Sequence, residues 1–180
     1  MSAANQQERL RITEESKYFL AGLIEGEGSL CISLKKHPTA KFGYYIDPEF
    51  FLYQHKNAKE LLDLAYSVFQ TGRIRPKPGN EDVLVYAITS RRSIIERVIP
   101  FFQRYVLPHG SELKRKNFEM FYEATMALEN GAHKTLEGTL RIVDLAYSTN
   151  HAGKQRKRSK EEVIRRILRD QTPKSVENNR

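Results

Sequence analysis

The sequence predicts an α+β domain in which helices cover one face of an antiparallel sheet. Two observations carry this prediction. Apolar residues recur at helical spacing and then alternate with polar residues, and this change of period occurs twice along the chain. Turn residues divide the alternating segments into two hairpins. With no internal repeat, one αββαββα unit accounts for the body, residues 1–150, and residues 151–180 form a basic C-terminal tail with a short helix.

The first helix is predicted to begin after Thr13, whose hydroxyl can cap it, and to end at Gly26–Gly28, since glycine commonly terminates helices. Beyond this segment the period becomes two, which predicts a strand with one buried face. An aromatic-rich strand returns over 44–54. Pro48 within it suggests an edge strand or a bulge, because proline cannot donate to the ladder.

The pattern repeats in the next segment. Asn57 can cap a second helix, the turn at 78–80 forms a second hairpin, and Ser90 can cap a third helix. Further helices are predicted over 111–129, 135–148 and 160–169. In this order of elements one sheet face is covered by helices and the other is free.

Composition excludes several classes of protein. With 39% hydrophobic residues, the 180-residue chain can bury a core, so wholesale disorder is not expected. No apolar run reaches the roughly 18 residues of a spanning helix. The single cysteine, Cys31, cannot form an internal disulfide, which fits an intracellular, reducing compartment. Residues 1–13 lack the apolar stretch of a secretory signal, and Glu8, Glu14 and Glu15 do not fit an acid-poor transit peptide.

The net charge of +8 indicates a polyanionic partner, nucleic acid before anionic membrane. This charge is not uniform. Residues 1–30 have 3 basic and 5 acidic side chains, residues 31–92 have 10 and 6, and residues 151–180 have 10 and 4. The positive excess therefore falls on the predicted hairpins and on the tail, whereas the first helix is acidic.

The end of the first helix carries the clearest chemical signal. Gly22 and Gly26 stack on one helix face, and glycine costs about 1 kcal/mol relative to alanine in a helix, so this face suits a close approach by another backbone. Glu25 and Glu27 stand at the C-terminal end, where the helix dipole disfavours carboxylates. A bound cation would remove that conflict. The segment therefore suggests a divalent-metal site beside a closely packed helix pair.

Residues 20–28 read Leu-Ala-Gly-Leu-Ile-Glu-Gly-Glu-Gly. This segment resembles the signature of the LAGLIDADG homing endonucleases, with six positions identical, two glutamates where aspartates are written and one glycine for alanine. The order of elements over roughly 14–148 is also that of the family's αββαββα fold. The resemblance implies a site-specific double-strand DNA endonuclease that hydrolyses phosphodiester bonds at a long, near-palindromic target, encoded in an intron.

The resemblance also implies a set of active-site residues. Glu27 matches the family's metal-ligating acid and Gly26 the carbonyl that completes the shell, with Mg²⁺ as the metal and Mn²⁺ as a substitute. Gln54 resembles the family position that orients water, and Lys114 the active-site lysine, with Lys116 as its fallback. An exposed glutamine and a solvated basic turn remain open alternatives for Gln54 and Lys114. Glu25 is expected to hold the helix end more than the metal.

One motif supplies one metal-binding acid, whereas a double-strand cut requires two active sites. The resemblance therefore implies a C₂ homodimer with the motif helices packed at the axis. The predicted dimer contacts are Leu20, Ala21, Gly22, Ile24 and Glu25.

DNA contacts are expected on the sheet and on the tail, because a two-stranded ribbon fits the major groove and basic side chains bind phosphate. The candidates are Ser33, Lys35, His37, Lys41, Tyr45, Arg73, Arg75, Lys77, Arg91, Arg92, Lys116, Lys154, Arg156, Lys157 and Arg158.

Two alternatives share the predicted fold. One is an RNA-binding maturase that assists intron splicing, and the other is a DNA-binding protein that does not cleave. A membrane partner is not expected. The family's setting implies a bacterial or archaeal cytoplasm, or an organelle of the intron-bearing genome.

Overall fold

A computed structural model of the chain describes residues 12–149 and 158–169. Its elements follow the predicted order. They are α1 (Glu14–Glu27), β1 (Gly28–Lys36), β2 (Tyr44–His55), α2 (Lys59–Phe69), β3 (Arg73–Lys77), β4 (Asn80–Ile88), α3 (91–106), α4 (Glu112–Glu129), α5 (Leu136–Ser148) and α6 (Lys160–Arg169). The αββαββα prediction is confirmed. Helix α3 alternates α and π turns on either side of Pro100, whose missing amide interrupts the regular ladder.

Local capping chemistry explains two of the helix starts. The Thr13 hydroxyl accepts from the Ser16 amide and the Ser16 side chain caps the Thr13 amide in return, so the predicted cap of α1 is confirmed. Ser90 caps α3 through the amide of Ser93, also as predicted. The prediction for Asn57 is wrong. This residue lies in a short 3₁₀ turn, and α2 begins after it without a side-chain cap.

The four strands form one sheet in the order β1-β2-β4-β3. Strand β2 is interior in this order, and the edge or bulge suggested by Pro48 concerns only the start of the strand. The register of β2 with β4 begins at the pair Phe50 and Ile88, two residues after the proline. Pro48 therefore lies outside the stretch of β2 that pairs with β4.

The chain divides into two compact units. In its described part the first comprises 12–30 and 49–116, and the second comprises 31–48, 117–149 and 158–169. The first unit is held by an aromatic cluster in which the Phe50 ring lies 5.6 Å from Phe69, 6.4 Å from Tyr86 and 5.9 Å from Phe102. Helices α2 and α3 therefore cover the sheet face that Phe50 occupies.

The second unit includes the C-terminal helix α6. Val163 and Ile167 on α6 are fully buried, and the Tyr147 hydroxyl donates to the Arg158 carbonyl at 3.0 Å. Burial of these apolar side chains makes α6 part of the unit. The short helix predicted within residues 151–180 is thus present, and the division at residue 150 stays a prediction.

The core offers a test of its polar anchoring. Tyr86 is fully buried and its hydroxyl donates to the Thr71 carbonyl, so Tyr86→Phe leaves that carbonyl without its donor. We expect a loss of about 1–2 kcal/mol in the free energy of unfolding, measured by urea denaturation. Tyr66→Phe, at a half-exposed tyrosine on α2, is the matched control and should have no effect.

Wild type and Tyr86→Phe should also differ in how their stability depends on pH. Burial raises the pKa of Tyr86 above its ordinary value. The unfolded chain loses this proton near pH 10 while the folded chain keeps it, so wild-type stability should fall above about pH 10 relative to Tyr86→Phe. Parallel stability curves for the two proteins above that pH would contradict the assignment.

Candidate functional site

The site is built where α1 ends and β1 begins, within the first unit. Gly28 makes the turn. A Cβ there would lie 2.6 Å from the Ile24 carbonyl oxygen, so only glycine allows the chain to turn this closely against the helix end. The tight turn places Glu27 at the last position of α1, directly before the strand.

Lys114, on the first turns of α4, reaches this helix end. Its ammonium donates to the Ile24 carbonyl at 3.0 Å and to the Gly28 carbonyl at 2.9 Å. A cation at a helix C-terminus complements the negative end of the helix dipole. The Ile24 carbonyl also accepts from the Gly28 amide, so Lys114 adds a second donor to it. Burial lowers the pKa of Lys114, and the neighbouring Glu25 carboxylate acts against this shift.

Glu25 joins α1 to the beginning of α4. One carboxylate oxygen accepts from the Ser111 amide at 3.1 Å and from the Ser111 hydroxyl at 2.6 Å. The same hydroxyl accepts from the Lys114 amide at 3.2 Å and so caps α4. The carboxylate is thus unfavourably placed at the end of α1 but favourably placed at the positive end of α4.

The other oxygen of Glu25 is buried and has no hydrogen-bond partner in the described part of the chain. A Cβ on Gly110 would lie 3.1 Å from it. The position of Gly110 therefore leaves just enough room for this carboxylate to lie against the turn before α4.

Glu27 has a different environment. Its side chain is exposed, and within residues 12–149 and 158–169 it has no hydrogen-bond or ion-pair partner. The preceding residue, Gly26, is exposed as well. Of the two acids in the motif, only Glu27 presents its oxygens to the exterior.

The structure brings Lys114 to the motif. Gln54 is half-buried in β2, paired with Leu84, and its side chain has no hydrogen-bond partner among the described residues. Lys116 is exposed and pairs with Glu112 one turn earlier, at 2.6 Å. The role predicted for Gln54 remains a prediction.

The exposed face of α1 differs from the predicted one. Leu20, Ala21 and Ile24 are buried inside the chain, so their side chains cannot supply the predicted dimer contacts. The exposed face carries Phe19, Gly22 and Gly26. Phe19 is 57% exposed, and a Cβ on either glycine would meet no atom within 4 Å. The two exposed glycines leave room for a second helix to approach, and the exposed Phe19 ring offers it an apolar contact.

Basic residues of the first unit lie on the sheet face away from α2 and α3. The register pairs Arg73 with Ala87 and Arg75 with Val85, on the side opposite Tyr86. The Lys77 ammonium lies 5.3 Å from the centre of the Tyr53 ring on this face. Strand β3 thus presents three cations on this face.

Arg91 and Arg92 do not belong to that group. They lie on the first turn of α3, and Arg92 pairs with Glu96 at 2.7 Å. Their predicted place on the sheet is corrected, because β4 ends at Ile88.

The second unit holds the remaining sheet candidates around the β1–β2 hairpin. Ser33 donates to the Asp47 carbonyl at 3.2 Å, Lys35 lies 3.8 Å from the Asp47 carboxylate, and Lys41 donates to the Lys134 carbonyl at 2.8 Å. His37 and Tyr45 pack against each other with ring centres 4.5 Å apart.

The basic run of the tail lies largely outside the described residues. This applies to Lys154, Arg156 and Lys157. Arg158 is described, and its guanidinium lies 3.6 Å from the Glu162 carboxylate.

Sequence reasoning missed Ser111 and Phe19. Ser111 has a recognisable signal, since a serine directly before the helical pattern of 112–129 is a typical N-cap. Its bond to Glu25, 86 residues away in the chain, has no local signature. Phe19 shares the apolar spacing of the buried residues of α1, so the pattern alone does not separate its exposed position from theirs.

The bond between Glu25 and Ser111 can be measured by a double-mutant cycle. Ser111→Ala and Glu25→Gln should show a coupling of about 1 kcal/mol in the free energy of unfolding, because each removes one partner of the same hydrogen bonds. Ser90→Ala, which removes the cap of α3, is the control and should be additive with Glu25→Gln. Additivity of the first pair would contradict the contact.

Comparison with known proteins places this geometry in a family. Residues 20–125 match the family described as LAGLIDADG endonuclease. A DNA endonuclease, I-CeuI of Chlamydomonas moewusii, is 47% identical over 132 residues, which cover 73% of this chain and 61% of the relative. This chain therefore spans about three fifths of that relative's length. The homing endonuclease I-ApeII of Aeropyrum pernix is 31% identical over 83% of this chain and 88% of the relative.

The solved structures agree with the sequence comparison. The group I intron-encoded homing endonuclease I-CeuI complexed with DNA superimposes with a TM-score of 0.82 and 39% identity, covering 88% of this chain and 78% of that chain. In the described part of this chain, no helix is both long enough and apolar enough to cross a membrane. The match over residues 20–125 includes the motif at the end of α1 and both hairpins. The chain belongs to the LAGLIDADG endonuclease family.

Proposed function

We propose that this protein is a homodimeric, Mg²⁺-dependent, site-specific double-strand DNA endonuclease of the homing type, encoded in an intron. The observation that carries the proposal is the Glu27 carboxylate, exposed and unpaired among the described residues at the end of a helix that Lys114 and Ser111 hold in place. The relatives, named as endonucleases, support the assignment.

The donor set at the helix end fits Mg²⁺. This ion prefers oxygen ligands, keeps several waters and is usually held by one or two carboxylates together with substrate phosphates. Glu27 would supply the carboxylate and Gly26 the backbone carbonyl. No cluster of three or more His, Cys, Asp or Glu side chains occurs in the described part of the chain, so the donors are too few for a closed all-protein site. When bound, Mg²⁺ supplies charge neutralisation at the phosphate and lowers the pKa of bound water.

Lys114 acts here as a positioning residue. Both hydrogen bonds of its ammonium go to carbonyls that flank the Glu25–Glu27 segment. Its charge offsets the negative helix end at which phosphate and metal would meet. Gln54 keeps the proposed role of orienting water, which rests on the family resemblance.

The exposed face of α1 supports the homodimer. Phe19, Gly22 and Gly26 leave space for a second copy of α1, since glycines allow helix backbones to approach closely. Two copies give two Glu27 carboxylates, one for each strand of the duplex. A two-fold axis makes the preferred site nearly palindromic.

The basic sheet faces would hold the DNA. Arg73, Arg75 and Lys77 in the first unit and the β1–β2 hairpin in the second provide cations and polar groups on strands, which fit the major groove. The solved relative in complex with DNA supports this choice of partner.

Cleavage tests the catalytic part of the proposal. Wild type incubated with Mg²⁺ and the intron-less host sequence should produce a double-strand cut, and chelation with EDTA should abolish it. Glu27→Gln should lower the rate by about a thousandfold or more, because it removes the charged metal ligand, while DNA binding without metal is retained. Glu119→Gln, at an exposed carboxylate of α4, is the matched control and should cut normally.

Two outcomes would contradict the nuclease. One is a cut that survives Glu27→Gln at the wild-type rate. The other is specific binding of DNA or intron RNA by wild type without any cut, which would favour the non-cleaving protein or the maturase.

Assembly is tested on the exposed face of α1. Gly22→Leu adds a bulky side chain where the single chain has no atom within 4 Å of a Cβ, so the chain should fold normally. Sedimentation should nevertheless show monomers where wild type is a dimer, and double-strand cleavage should be lost. Glu119→Leu adds a similar side chain on α4 and should leave the dimer intact. A dimeric Gly22→Leu protein would place the interface elsewhere.

A further inference from the structure

The β1–β2 hairpin contains a hydrogen-bond network of three polar side chains. The Thr39 hydroxyl lies 2.8 Å from Nδ1 of His37 and 3.2 Å from the Tyr45 hydroxyl. The His37 and Tyr45 rings are 4.5 Å apart and inclined at 39°. Thr39 thus bridges two ring side chains that already lie against each other.

One backbone group determines which atoms of this hydrogen-bond network donate and which accept. The Thr39 amide donates to Nδ1 of His37 at 3.4 Å, and an amide N–H can only donate. Nδ1 is therefore an acceptor, and in the neutral ring the proton is on Nε2. The Thr39 hydroxyl must then donate to Nδ1 as well, so its oxygen accepts from the Tyr45 hydroxyl.

His37 and Tyr45, at the two ends of this hydrogen-bond network, consequently have opposite hydrogen-bonding character. The Nε2–H of His37 is a donor, and it has no partner among residues 12–149 and 158–169. The Tyr45 hydroxyl donates its proton to Thr39, so its oxygen can act towards a ligand only as an acceptor. Tyr45 is 48% exposed and His37 is half-buried. The hairpin therefore carries one donor, on His37, and one acceptor, on Tyr45. Thr39 determines which side chain has which role.

We propose that His37 and Tyr45 form a recognition site for an adenine edge in the major groove, with Thr39 as the positioning residue. The inference rests on the proposed function, since it takes DNA as the partner. Adenine alone among the four bases carries both an acceptor, N7, and a donor, N6–H, on its own major-groove edge. Guanine presents two acceptors there, so the Tyr45 oxygen would face a lone pair.

Modified bases test the assignment. The target is first recovered by selecting randomised duplexes for binding to the full chain in the absence of Mg²⁺. Each adenine of the selected site is then replaced singly by 7-deazaadenine, which lacks the N7 acceptor, or by unsubstituted purine, which lacks the N6 amino group. At one adenine in each half-site, both replacements should weaken wild-type binding about fivefold to tenfold.

Variants assign each loss to its side chain. His37→Ala should be insensitive to 7-deazaadenine at that position, and Tyr45→Phe should be insensitive to purine. Tyr66→Phe, at a tyrosine of similar exposure (47%) on α2, should respond like wild type. Thr39→Val leaves both rings in place but removes the bridge, so it should lose most of the preference for adenine over guanine there while non-specific DNA affinity is unchanged.

Three results would overturn the inference in distinguishable ways. Specific binding without any adenine that couples to His37 and Tyr45, or coupling to a guanine, overturns the adenine site alone. ¹⁵N NMR of the imidazole in the free protein could show the proton of the neutral His37 ring on Nδ1. That result overturns the assigned order of donors and acceptors. No sequence-specific duplex binding by wild type overturns the proposed function together with the site.

Discussion

The site depends on how the C-terminal end of α1 is neutralised. Helix carbonyls and two carboxylates meet there, an arrangement that the helix dipole disfavours. Two contacts from the beginning of α4 stabilise this end: Lys114 donates to the carbonyls and Ser111 donates to Glu25. Burial lowers the pKa of Lys114, and the Glu25 charge acts against this shift. The positive N-terminal end of α4 thereby stabilises the negative end of α1.

This arrangement separates the roles of two chemically identical side chains. Glu25 is held by Ser111 and lies against Gly110, so its carboxylate joins the two helices. Glu27 faces outward without a partner in the described part of the chain, which leaves its oxygens free for a cation. The difference arises from the helical turn of 100° per residue, which directs side chains two positions apart to opposite sides.

Helix α1 combines core, surface and site within 14 residues. Leu20 and Ile24 anchor it in the first unit, whereas Gly22 and Gly26 leave the opposite face open. Glycines weaken an isolated helix, and the buried apolar side chains compensate for that cost. A rigid helix with an open face can present its end reproducibly and still admit a second helix.

Local signals in the sequence determined the order of elements, the caps at Thr13 and Ser90 and the motif at 20–28, because hydrophobic period and capping act over a few residues. Asn57 misled because the exact helix start depends on neighbours elsewhere in the chain. Only the tertiary structure decided that Lys114 and Ser111 meet the end of α1, that Leu20, Ala21 and Ile24 are core residues, and that α6 belongs to the second unit. These are contacts between residues far apart in sequence, and no local pattern specifies which charges and donors the fold brings together.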